Sequence, residues 1–163
     1  MTSEAVTATL HRSWAADLEP GTLYEILRLR VDVFVVEQEC PYPELDGRDL
    51  EPRARHYWLG ARPHPAGDDA EPVLGCVRLL KEPDGAYRIG RLCTAPAARG
   101  HGLGRQLMEA VLAEVGDDPC LLDAQEHLAG FYAEFGFEAV GPAYDWAGVA
   151  HLPMRRVRRG EPR

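Results

Sequence analysis

Apolar and polar positions change their period several times along this chain, and each change marks an element. Residues 6–14 (VTATLHRSW) alternate loosely and predict a first strand. Pro20-Gly21 then precedes Thr22-x-x-Glu25, a capping box that offers acceptors to the free amides of a helix start. Leu23, Ile26, Leu27 and Phe34 recur at helical spacing and give that helix a buried stripe through about Val36. Three strands are predicted over 56–62 (HYWLGAR), 73–80 (VLGCVRLL) and 86–94 (AYRIGRLCT), and Pro96 stops the last. The strongest helical signal lies over 103–115, where Leu103, Leu107, Val111 and Val115 step by four, with Met108 and Leu112 alongside. A short strand over 120–122 follows, then a helix over 127–135 that Gly136 ends as a left-handed cap. Strands near 137–140 and 150–156 complete the series. A run of strands followed by strand-helix alternation predicts an α/β fold with a mixed, partly antiparallel sheet.

Between the first helix and the second strand, residues 38–55 carry Pro41, Pro43, Gly47 and Pro52 among five carboxylates, too broken for regular structure. A loop of this length generally has a function. The 62–72 segment (RPHPAGDDAEP) reads as a surface turn. With 163 residues, one domain over 1–163 with its core at about 5–157 is expected.

Composition narrows the partners. Hydrophobic residues at 45% and charged residues at 27% are a globular balance. Eighteen basic against twenty-six acidic residues give a net charge of -8, which repels a phosphate backbone, argues against nucleic-acid binding and favours a cationic substrate. Arg155, Arg156, Arg158 and Arg159 read as a solvated basic tail. Cys40, Cys76, Cys93 and Cys120 lack CxxC spacing, and three lie in apolar, strand-like runs; buried thiols in a reducing cytoplasm are expected. Neither a signal peptide nor a run of ~20 apolar residues is seen, so no membrane association is expected.

The most informative stretch joins a strand to a helix through three alternate glycines, Gly100, Gly102 and Gly104. Glycines there let backbone amides turn toward a ligand, and a helix start carries roughly half a positive charge. An anionic group, a diphosphate above all, belongs at such a place. A Walker loop would need Gly-Lys-Ser/Thr, but Arg105-Gln106 follows Gly104. A dinucleotide fingerprint would need Gly or Ala at 105; Asp123, about twenty residues on, keeps that alternative open. A ligand-free glycine turn is the other alternative.

Arg99-x-x-Gly102-x-Gly104 resembles the signature of the GNAT N-acetyltransferases, and Phe131-Tyr132 followed by Phe135-Gly136-Phe137 resembles that family's FYxxxGF. The segments VFVVEQECPYPELDGRD, AQEHLAGFYAEFGF and VAHLPM are similar to its ElaA-type branch. The likeness spans about Leu23 to Met154. It implies the GNAT fold, a central splayed mixed sheet flanked by helices, with acetyl-CoA held between the fourth and fifth strands. It further implies direct acetyl transfer to a primary amine: a small amine, a polyamine or a protein amino group. Homodimers are frequent in such families. The coenzyme's diphosphate would lie on Arg99, Gly100, His101, Gly102, Leu103, Gly104 and Arg105, and its pantetheine along Leu92, Cys93 and Thr94, with the Cys93 amide polarising the thioester carbonyl. Phe131 and Gln125 would complete the coenzyme site, Gln125 standing where many relatives have Asn. Tyr132 would protonate the leaving thiolate. A coenzyme-binding domain without catalysis is the rival reading.

An amine acceptor is an ammonium at neutral pH and needs a base. Glu37, at the end of the first helix, is the first choice. His56, His127 and His151 are the alternatives because imidazole titrates near neutrality. Asp46, in Asp-Gly-Arg-Asp, reads as a turn residue or an ammonium clamp. The acceptor side is thus assigned to Glu37, Gln38, Asp46, His127, Tyr144 and His151. The histidines lack metal-ligand spacing, so no metal is expected. An acyl-enzyme on Cys40 ranks low, because direct attack needs no such nucleophile.

Overall fold

The computed structural model describes residues 7–61 and 71–156. The start of the first predicted strand at Val6, most of the 62–72 turn, and Arg158 and Arg159 lie outside them. Among the described residues the strands are β1 (Ala8–Trp14), β2 (Arg55–Ala61), β3 (Val73–Lys81), β4 (Tyr87–Thr94), β5 (Cys120–Gln125), β6 (Phe137–Ala139), β7 (Tyr144–Trp146) and β8 (Val149–Arg156). They form one mixed sheet in the order β1-β2-β3-β4-β5-β8-β6, with β7 added to β8. β1 to β4 are antiparallel neighbours, β4 and β5 run parallel, and β8 is antiparallel to β5, β6 and β7.

The helices α1 (Pro20–Val31), α2 (Leu103–Val115) and α3 (Ala129–Ala133) flank the sheet. The predicted apolar stripe of α2 is its buried face: Leu103, Leu107, Met108, Val111, Leu112 and Val115 are all buried. That face packs with Tyr57, Leu59, Val77, Leu79 and Ile89 of the sheet and with Tyr132 of α3. On α1, Ile26 and Leu29, with Val33 just beyond it, cover Val73, Cys76 and Cys93. β3 is therefore enclosed on both faces, which is why its sequence is nearly continuous apolar residues. All four cysteines are buried free thiols, as expected.

Several boundaries differ from those predicted. Helix α1 opens at Pro20, with Glu19 at the N-cap and no side-chain cap bond, so Thr22 and Glu25 form no capping box. Proline's fixed φ suits the first helical position and supplies the start instead. After Val31 the helix widens into a π-turn, Asp32–Glu37, with the Gln38 amide donating to the Val33 carbonyl at 3.3 Å. β5 extends to Gln125, and the helix predicted over 127–135 is a 3-10 turn, Glu126–Leu128, followed by α3. Gly136 holds φ +90 as its left-handed end. The three residues of β7 are too few to show a period.

The buried stripe of α1 also contains Arg30, 1% exposed, which no apolar periodicity announces. The acidic loop explains it. Arg30 Nε donates to Glu44 at 2.8 Å and its terminal nitrogens donate to Asp49, while Arg78 of β3 donates to Asp49 at 3.1 Å and to Asp46 at 2.9 Å. Burial by itself would raise the carboxyls of Asp46 and Asp49, but the neighbouring guanidiniums, joined at Asp46 by the Arg48 amide, hold both below the usual range. His56 closes the network by donating from Nε2 to the Asp49 carbonyl at 2.8 Å. Burial disfavours its imidazolium and lowers its pKa.

Replacing Arg30 with Met leaves Glu44 and Asp49 facing a buried apolar chain, and urea denaturation should show a loss of about 3–5 kcal/mol. The depressed His56 contributes stability that is full above the unfolded imidazole's pKa of about 6.5 and is lost as pH falls below it. The urea midpoint should therefore drop between pH 7 and 5, and His56→Gln should flatten that drop.

Candidate active site

The cleft begins with one extra residue in β4. Cys76 pairs with Cys93 and Arg78 with Gly90, so Val77 alone faces both Arg91 and Leu92. Arg91 takes φ +59, a left-handed backbone, and makes a bulge that bends the strand. The Arg91 guanidinium reaches back to the acidic loop, donating to the Glu44 carbonyl at 3.1 Å and to Asp46 at 3.2 Å. That anchorage holds a conformation a β-region arginine would otherwise avoid.

Parallel pairing of β4 with β5 is confined to Tyr87–Cys120 and Arg88–Leu121. Beyond these the strands part, and a cleft of about 490 Å³ fills the gap. Its walls are the backbone of β4 from Ile89 to Thr94 and residues Leu122, Asp123 and Gln125 of β5. Val33, Phe34, Glu37 and Gln38 enter it from the π-turn and its end, Phe131 and Tyr132 from α3, and His151 from β8. The outer edge of β4 consequently offers peptide groups that no fifth strand takes up, the arrangement an extended ligand completes by strand addition.

The start of α2 reaches the same cleft through Arg99 and Gly104. Gly100 and Gly102 hold φ +83 and +75, which turns the loop into the helix with no Cβ penalty. The Gln106 amide donates to the Gly102 carbonyl at 3.0 Å, the first rung of the helix. The amides of Leu103, Gly104 and Arg105 precede that rung and have no intrahelical acceptor. At Gly104 a side chain would meet Phe131 at 3.8 Å, so the glycine leaves room beside the aromatic ring.

Tyr132 is 9% exposed and packs edge-on to Phe131, with ring centroids 5.1 Å apart. Burial, with a smaller contribution from Cys93, pushes its phenol up to about 12, so it keeps its proton at neutral pH and can only donate.

Known proteins resemble this chain over nearly all of its length. A family model described as an acetyltransferase (GNAT) domain matches residues 59–158. The chain belongs to the GNAT acetyltransferase family. It is 49% identical to a UPF0039 protein of Mycobacterium tuberculosis over 96% of this chain and 97% of that one. It is 38% identical to protein ElaA of Escherichia coli over 90% and 93% respectively, and lies in the ElaA-like branch. Among solved structures, an acyl-CoA N-acyltransferase from Pseudomonas aeruginosa superposes with a TM-score of 0.82 at 39% identity, covering 93% of this chain and all of that one.

Most residues singled out in the sequence meet in the GNAT cleft: Leu92, Cys93, Thr94, Arg99, Gly104, Gln125, Phe131 and Tyr132, with Glu37, Gln38, His127 and His151. Gly100, His101, Gly102, Leu103 and Arg105 form the loop and first turn beside it, and the Arg105 side chain is taken by Glu134. Asp46 and Tyr144 do not line it. Asp46 is no ammonium clamp here, because Arg78 and Arg91 already occupy its carboxylate; it accepts the Arg48 amide at 3.0 Å in the Asp-Gly turn. Tyr144 stands behind the cleft, stacked on His151 and raised to about 12 by burial and a hydrogen bond with Asp123. His56 belongs to the Arg30 network.

Glu37 lines the cleft with its carboxylate engaged. Both of its oxygens accept from Arg99, one at 2.8 Å, and this bidentate bond holds its pKa below the ordinary carboxylate value. Arg99 also donates to the Thr94 carbonyl at 3.1 Å. On the other lip, Gln38 and Gln125 exchange amide bonds at 3.1 and 3.4 Å. The end of the π-turn is thus tied to both sides of the cleft.

Sequence reasoning missed Tyr42, Arg91 and Asp123 as cleft residues. Tyr42 stands between two prolines in the segment marked as functional, a usable signal; it donates to Glu44. Asp123 was noted only for the dinucleotide alternative, and here it bonds Arg88 at 2.9 Å. Nothing in the local sequence marks Arg91 as a bulge.

Because the Arg99 bond is the main cause of the low Glu37 pKa, Arg99→Gln should return that carboxyl toward the ordinary range of about 4.3. A carbon-detected NMR titration of Glu37 reads this directly, and an unchanged value would refute the pairing.

Proposed function

We propose that this GNAT acyltransferase moves the acetyl group of acetyl-CoA directly onto a primary amine in a ternary complex. The reading rests on one juxtaposition: an unpaired β4 edge, the open amides of α2 and a proton-bearing Tyr132 converge on a single cleft. The residues fit the coenzyme. Amides at Leu103, Gly104 and Arg105, with the helix dipole behind them, suit a diphosphate. The β4 edge over Leu92, Cys93 and Thr94 suits the two amides of a pantetheine arm, and Phe131 gives that arm an apolar wall. When bound, the coenzyme supplies a thioester carbonyl to attack.

The chain's own groups do the rest. An outward-facing amide of the bulged strand beside Cys93, such as that of Thr94, donates to the carbonyl oxygen as charge builds there; the Cys93 amide itself faces β3, because Ala95, two residues on, donates to the Leu74 carbonyl. Tyr132, which still holds its proton at neutral pH and lines the cleft, gives that proton to the departing sulfur. The net charge of -8 favours a cationic acceptor, since an acidic surface draws amines and repels anionic competitors. The dinucleotide reading loses its main support, because the carboxylate of Asp123 is engaged by Arg88.

Coenzyme A, but not NADH, should raise the melting temperature of the protein. With acetyl-CoA and an amine panel spanning spermidine, free amino acids and a lysine peptide, thiol release should be seen for at least one acceptor. Tyr132→Phe should lower that turnover by about 10²- to 10⁴-fold while leaving coenzyme affinity intact. A variant that turns over normally would instead support a domain that binds the coenzyme without Tyr132 catalysis.

A further inference from the structure

Attack by an amine requires a group that removes its proton, and the geometry of the cleft selects one. We propose that His151 is the general base, acting through Nε2 on the acceptor amine; the assignment rests on the acetyl-transfer reading above. Three alternatives are less well placed. Both oxygens of Glu37 accept from Arg99, which lowers its pKa and makes it a weaker base. His56 is 1% exposed, outside the cleft, and donates to the Asp49 carbonyl. His127 lines the cleft on the exposed 3-10 turn, but no bond among the described residues orients its ring.

His151 is held on two sides. Its Nδ1 lies 2.9 Å from the Val149 carbonyl, and a carbonyl can only accept, so Nδ1 carries the hydrogen. In the neutral ring Nε2 then keeps its lone pair, the tautomer a base needs. The Tyr144 ring stacks on the imidazole with centroids 5.9 Å apart and planes 25° apart, which limits its swing. His151 pairs across strands with Gln125, so it sits at the end of β5 that has parted from β4 and within the cleft lining that includes Tyr132.

A carboxylate lies close by on the neighbouring strand. Asp123 lies two residues along β5 from the cross-strand partner of His151, a diagonal of about 7–8 Å in a regular antiparallel pair. Its carboxylate also lines the cleft and helps raise the pKa of the Tyr144 phenol. Arg88, bonded to Asp123, opposes it, and Gln38 and Gln125 add only neutral dipoles. Tyr144 thus joins the imidazole to the carboxylate and acts as a positioning residue. In the reaction Nε2 takes a proton from the ammonium and frees the nitrogen lone pair, which forms the C–N bond, and the second N–H proton leaves to solvent as the adduct collapses. The C–S bond breaks with its electron pair on sulfur, which takes the Tyr132 proton.

The test uses acetyl-CoA with whichever amine of the panel is turned over, and compares His151→Gln, Glu37→Gln and the unaltered protein across pH 5.5–9. His151→Gln should lower kcat/KM by about a hundredfold or more, remove the acidic limb of the profile and leave KM for acetyl-CoA unchanged. Glu37→Gln should keep the acidic limb. With methoxyamine, a weakly basic acceptor already neutral at pH 7, the His151→Gln loss should shrink to within about tenfold, as expected for a missing base. An equal loss with both acceptors, or a retained acidic limb, would overturn the assignment while leaving acetyl transfer standing. Proton–nitrogen NMR of the unaltered protein gives a readout independent of turnover and of variant folding: the neutral His151 ring should carry its hydrogen on Nδ1, and an Nε2–H tautomer would also overturn it. Failure of the unaltered protein to bind coenzyme A and to acetylate any amine would remove the acetyl-transfer reading and this assignment together.

Discussion

The pairing of β4 with β5 ends at Arg88 and Leu121, and from there each peptide group on the outer edge of β4 must stay solvated or find a partner from outside the sheet. That unmet hydrogen-bonding demand is the constraint around which the molecule is arranged. The bulge at Arg91 bends β4, and the same parting opens the cleft into which the loop before α2, α3, β8 and the π-turn each deliver side chains. A sheet closed at this point would bury the same apolar residues and have no site.

Keeping a bulge open calls for anchorage, and the charged residues supply it. Arg30 rises from a helix, Arg78 from the most buried strand and Arg91 from the bulge, and the acidic loop answers them with Glu44, Asp46 and Asp49. A buried ion network of this kind is weak evidence for stability, because desolvation opposes attraction. Its geometric consequence is firmer: the loop that ends in β2 is held against the strand that lines the cleft. The carboxylates that resembled an acceptor surface are for the most part structural. Tyr132 and His151 line the cleft outside that network.

Much of the architecture was legible because burial imposes a period. The four-residue steps of α2, the continuous apolar run of β3 and the glycine after Phe135 each report a local physical demand, and each element was found where its pattern lay. Where the demand is nonlocal, the pattern misled. Thr22 and Glu25 satisfy the spacing of a capping box, yet Pro20 had already begun the helix. Leu23 and Leu27 fit the apolar stripe of α1, but packing against the sheet buries Leu29 and Arg30 more deeply. β7 is three residues long and exists only because β8 offers it an edge.

The candidate site divides the same way. Residue order and spacing determined the glycine-opened start of α2, the Phe131-Tyr132 pair and the strand bearing Cys93, since each is a contiguous stretch whose backbone must behave in one manner. Tertiary structure alone decided which titratable groups remain free. Glu37 and Arg99 are 62 residues apart in the chain, and Asp46 meets Arg78 and Arg91 across 32 and 45 residues. Protonation is set by such through-space contacts, whose energy falls with distance in space and is indifferent to distance along the chain. The Nδ1 hydrogen of His151 follows from a carbonyl two residues away, but its place in the cleft that Tyr132 also lines follows from how β8 lies against β5. Local sequence could name the groups able to move a proton; only the fold chose which of them has one to give and which can take one.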